Sequence, residues 1–167
     1  MTTNSLAFVA LCNEYCSVLE NALSYKLKAF ISEMLRLLPR IYISAFDLQD
    51  SGPSEGYSIQ ALEEEQYNVI RKNISVLLGS NDTYLEAFEE DMKYSDTPIG
   101  ASVSESLADL FQVFYNMLET IRDAPEDVAE ETLADVKDSF MEFWSQTLCN
   151  VMRPLNNIFY NSIDLDE

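Results

Sequence analysis

Histidine is absent from all 167 residues of this chain. The commonest general base, proton shuttle and metal ligand is therefore missing, and serine or cysteine triads of the usual kind cannot be assembled. Glycine (4) and proline (5) are scarce, too few for the many tight turns of an all-β protein. Gly79 and Gly100 stand alone, so no phosphate-cradling loop is present. The three cysteines are odd in number and lack a disulfide-like spacing, which fits a reducing cytoplasm. Cys12 and Cys16 share a helix face, but with only Cys149 to join them they read as small core residues before they read as zinc ligands. Bases are few as well: 10 against 29 acids, a net charge of −19. A surface of that sign disfavours direct nucleic-acid binding and adsorption to anionic membranes. No apolar run reaches the roughly 18 residues of a spanning helix, and MTTNSLAFVALC has no base ahead of its apolar run, so it reads as a first helix and not as a secretory signal.

What is present is apolar material in helical order. Hydrophobic residues make up 47% of the chain and aromatics 11%, enough for one core and one helical domain over residues 1–167. Polar positions recurring every three or four residues predict helices over Leu6–Leu23 and Lys26–Leu48, a hairpin within residues 1–49. Pro39 predicts a kink or break near Leu38. The run DSGPSEGYS reads as a flexible connection, residues 50–62. The remaining helices fall within 63–162: one from Glu63 to Leu78 stopped by Gly79, one opened near Val103 by the Ser102/Glu105 capping box, and a long last helix beyond Pro125 with Pro154 as a kink. Its core face is read as Val136, Phe140, Phe143, Trp144, Thr147 and Val151. Residues 163–167 are an acidic tail. The fold class is an all-α, single-domain bundle of about five main helices, mostly antiparallel, with a long C-terminal helix.

Residues 82–131 hold fourteen acids against Lys93 and Arg122, or −12 of the −19. Clustered carboxylates such as Glu63–Glu65 and Glu89–Asp91 sit at helix starts or outer faces, where they are usually solvated. No cofactor, metal site or catalytic set is expected. Within KYSDTPIG, Pro98 biases the chain to extended geometry ahead of a capped helix, which makes the stretch a defined lead-in. Asp91, Lys93, Tyr94 and Asp96 on it form a candidate binding ledge, as polar loops held by rigid helices often do. Arg153 completes that candidate set: a lone base near the end of an acidic protein, read either as a clasp on Asp96 or Asp109 or as an anion site.

Four stretches, KYSDTPIGASVSESLADLF, LPRIYISAF, LLGSNDTYLEAF and FWSQTLCNVMRPLNNI, resemble in the same order a bacterial domain-of-unknown-function family found mainly among Bacteroidetes. The resemblance covers nearly the whole chain and implies an all-helical cytoplasmic protein without an assigned reaction. Members of that family often carry histidines around the tryptophan and after the arginine. Here those positions read Phe143, Thr147 and Asn156, so a histidine-dependent activity is not expected of this chain.

The leading expectation is a non-enzymatic, acidic helical module that binds another protein, of basic character, in the cytoplasm, with neither nucleic acid nor membrane as a direct partner. One alternative is a nucleic-acid mimic that regulates a basic nucleic-acid-processing enzyme. A second is a histidine-independent enzyme or small-ligand binder using Tyr94, Asp96 and Arg153.

Overall fold

Amphipathic helices in series need a common core to bury their apolar faces. A computed structural model, which describes residues 1–52, 54, 59–85 and 99–161, shows how they share one. Helix α1 (Thr3–Glu20) begins where the Thr2 hydroxyl accepts from the Ser5 amide, satisfying an orphan donor of the first turn. Phe8, Cys12, Tyr15, Cys16 and Leu19 form its buried stripe. After a short 3-10 turn, Ala22–Ser24, helix α2 spans Leu27–Phe46. The break expected near Leu38 does not occur; α2 continues through Pro39 with Leu37, Leu38 and Ile41 buried around it. A proline inside a helix costs about 3 kcal/mol, whereas burying three such side chains returns roughly 1.5–3 kcal/mol each.

Helix α3 (Glu64–Leu78) carries a reciprocal capping box, with Glu63 accepting from the amide of Gln66 while its own amide donates to Gln66 Oε1 at 3.0 Å. It stops at Gly79, whose φ of 57° suits glycine at a helix C-cap. Strands β1 (Thr83–Leu85) and β2 (Gly100–Ser102) then pair antiparallel, Tyr84 opposite Ala101. This small ribbon has no counterpart in the sequence reading, because three residues are too few for a period of two to register.

Helix α4 (Val103–Ile121) is capped twice. The Ser102 hydroxyl accepts from the Glu105 amide at 3.1 Å, and Asp82 accepts from the Ser104 amide and hydroxyl, both at 2.7 Å. Asp82, the first acid of the acidic window, is thus a buried cap and not a solvated charge. Helix α5 (Glu126–Ser139) follows Pro125 with Glu126 and Asp127 complementing its dipole. A π turn, Phe140–Trp144, joins it directly to helix α6 (Ser145–Asn161), and the three make the long C-terminal helix.

Helix α4 sits at the centre of this all-α bundle, packed on α1, α3, α5 and α6, while α2 lies against α1 and α6. The core is aromatic at its middle. Phe114 meets Tyr15 and Trp144 edge-on, each at 5.2 Å between ring centres, and Phe140 lies 4.6 Å from Trp144. Such pairs add about 0.5–1.5 kcal/mol beyond area burial. The Tyr15 hydroxyl donates to the Leu107 carbonyl at 2.7 Å, which satisfies the one polar atom this ring takes inside. Among the described residues no helix is long and apolar enough to cross a membrane.

Candidate functional site: a trough along helix α4

The π turn shapes one side of a hollow on the surface. In an α-helix, four-residue steps drift by about 40° each. Across the π turn, where the Ser145 amide bonds to the Phe140 carbonyl five residues back, the wider winding offsets that drift. Val136, Phe140, Trp144 and Leu148, each four apart, consequently all face the core. Trp144 is 1% exposed, and its indole N–H donates to the Val136 carbonyl at 3.1 Å, with the Ser139 hydroxyl on the same oxygen at 3.0 Å. Phe143, expected on the core face, is instead 55% exposed. It lines a hollow with Asp135, Ser139 and Thr147, again four apart.

That hollow, about 470 Å³, runs between α4 and the long helix, and a second of about 450 Å³ lies between α4 and the start of α3. They share Gln60, Asp109 and Gln112, so together they form one trough along α4. Its outer lip is chain 59–62, tied down where the Ile59 amide donates to Thr120 Oγ1 at 3.1 Å and the Leu62 amide to Asn116 Oδ1 at 2.9 Å. Those two acceptors are one helical turn apart on α4, which holds Gln60 over the trough.

Asp109, Asp135, Glu63 and Glu64 line the trough, and neither hollow has a lysine or arginine among its lining residues. At the ridge the Tyr67 hydroxyl donates to Asp109 Oδ1 at 2.5 Å. Burial pushes the Asp109 carboxyl above the usual carboxylate range; the Tyr67 bond opposes this and the nearby Glu105 adds to it. Burial also pushes the Tyr67 phenol up, reinforced by the bond to Asp109. Together these groups offer carboxylates, amides, hydroxyls and one exposed phenyl ring, a set suited to a cation carried on an apolar stem.

Of the residues predicted from the sequence, Asp91, Lys93, Tyr94 and Asp96 lie outside the described residues. Arg153 is described, but it does not pair with Asp109. Its guanidinium donates to the Leu85 carbonyl at the end of β1, while Asp109 belongs to the trough. Cys12 and Cys16 are buried, and burial pushes both thiols up, away from the thiolate a metal needs; Cys149 is exposed. Among the described residues no group of three histidine, cysteine or carboxylate side chains could hold a metal ion. Sequence reasoning missed the trough because Asp109 and Gln112 look like ordinary outer-face residues of α4. The available signal was the four-residue spacing from Val136 to Leu148, which fits a π turn better than a straight helix.

No curated protein matches the chain. Among solved structures, the crystal structure of protein BF1032 from Bacteroides fragilis is similar, at 27% identity over 96% of this chain and 94% of that one, with a TM-score of 0.82. The family model described as a domain of unknown function, DUF5063, matches residues 1–161. With nearly its whole length under that model and its architecture shared with the Bacteroides protein, the chain belongs to the DUF5063 family.

Proposed function

We propose that the protein is a non-enzymatic, acidic interaction module of the cytoplasm that receives a basic segment of a partner protein in the trough along α4. The supporting observation is the trough itself: two joined hollows lined by four carboxylates and the exposed Phe143, without a lysine or arginine among their lining residues. An elongated, open trough suits an extended chain better than a compact metabolite, and charge of one sign favours a partner of the other. The free cysteines agree with a reducing compartment. Tyr94 and Asp96 of the enzymatic alternative lie outside the described residues, and Arg153 is held by a backbone carbonyl.

The experiment is affinity capture from the cytosol of the native cell with wild type and with an Asp109→Lys/Phe143→Glu variant, washed at low and then moderate salt. The expected result is a basic protein retained by wild type and lost by the variant, with partial release by salt because Phe143 contributes an apolar contact. Equal retention by both proteins would overturn the trough as the site. Complete loss from wild type at moderate salt would favour nucleic-acid mimicry instead.

A further inference from the structure

We propose that the cleft between β1 and α6 is an oxyanion site that takes the carboxylate or phosphate group of a small ligand on Arg153. Of four well-formed hollows on the described surface, this one, about 380 Å³, inverts the pattern of the other three. The other three each have at least one aspartate or glutamate among their lining residues and no lysine or arginine. Among the described residues, the β1–α6 cleft is lined by Arg153 and by no carboxylate, although acids outnumber bases 29 to 10 in the chain. Its volume falls in the range of about 300–1,000 Å³ common for small-ligand sites.

The polar groups around Arg153 are uncharged and able to donate. Ser80 and Thr83 bring hydroxyls, and Asn81 and Asn157 bring amides. Asn157 Oδ1 already accepts from Asn161 Nδ2 at 3.0 Å, so the amide nitrogen of Asn157 is the end left to meet a ligand. Arg153 is held by one arm: Nη2 donates to the Leu85 carbonyl. A guanidinium has five N–H donors in a fork that matches two oxygens of a carboxylate or phosphate. With one donor committed, the rest of the fork is oriented in advance, which lowers the entropy lost on binding. Tyr84, Pro154 and Ile158 supply the apolar part of the lining, and the Tyr84 hydroxyl is taken up by Ser106 at 2.9 Å. This site is independent of the trough and of its partner.

The test is titration of nitrogen-15-labelled protein with inorganic phosphate and, separately, with acetate, at fixed ionic strength balanced with chloride. Saturable shifts are expected at the amides of residues 80–83 and Asn157 and at Arg153 Nε–H. Saturation by either anion supports the site, and the tighter of the two identifies whether its ligand carries phosphate or carboxylate. Asn157→Asp places a negative charge in the cleft at an exposed position, one helical turn from Arg153. It should weaken binding by about tenfold or more while leaving the melting temperature unchanged. Arg153→Lys, which keeps the charge and loses the fork, should also weaken it. Shifts that do not saturate, that spread evenly over the surface, or that persist at full affinity in Asn157→Asp would overturn the proposal.

Discussion

An amino group taken out of water needs acceptors in water's place. Lys137, 7% exposed, finds two: its Nζ donates to the carbonyls of Ala45 at 3.0 Å and Phe46 at 2.7 Å, and it lies 5.5 Å from the ring centres of Phe46 and Phe140. It thereby closes the C-terminal end of α2, whose last turn has no base of its own. Lys137→Met should keep the packing and leave both carbonyls short of a donor, lowering unfolding free energy by about 1–3 kcal/mol as read from the urea midpoint. Asp109 offers a pH-dependent test. Its folded carboxyl titrates above the unfolded value, so the native state holds the extra proton, and stability falls as pH rises through the window above 3.8. Asp109→Asn should flatten that fall, measured as unfolding free energy from pH 3.5 to 6.5; an unchanged slope would contradict the assignment. Neither residue could have been placed from local sequence. The acceptors of Lys137 lie 91 and 92 residues away, and the Tyr67 partner of Asp109 lies 42 away, separations that only tertiary packing closes.

At the scale of elements, what was legible followed from local physics. Helix α3 stops at Gly79 and α4 starts after Ser102 because a positive φ and a side-chain cap are properties of a few adjacent residues. Of the kink or break read at Pro39, the break does not occur, because Leu37, Leu38 and Ile41 around it are buried against the rest of the bundle. The π turn misled in a different way. The long last helix beyond Pro125 was legible, yet one extra residue in the winding moved Phe143 from the core to the trough. A π turn absorbs one residue without turning the helix beyond it. Deleting the exposed Met141 should therefore convert it to an α turn, preserving the buried face of α6 and cooperative unfolding by circular dichroism. Deleting Met141 and Glu142 together should rotate α6 by about 100°, withdraw Val151, Leu155 and Ile158 from the core, and abolish cooperative unfolding. Equal tolerance of both deletions would show that the turn does not set the register of α6.

Across the whole molecule, charge and fold are separable. Among the described residues Asp82 is the one buried acid, and it caps α4. The trough gathers others, Asp109, Asp135, Glu63 and Glu64, from three helices and the residue that caps one of them. The sequence made the acidity and the helical class visible, since both are sums over residues. It could not show that separate acids converge on one face, because convergence depends on how α3, α4 and the long helix cross. A partner protein is proposed to dock in the trough along α4. The most direct measurement replaces Gln112, in the trough, with p-benzoylphenylalanine and, as a control, Lys72 on the exposed side of α3, and irradiates native cells. The account predicts a discrete cross-linked protein, basic in composition, from position 112 and none from 72. The same products from both positions, or no discrete product from position 112, would contradict it.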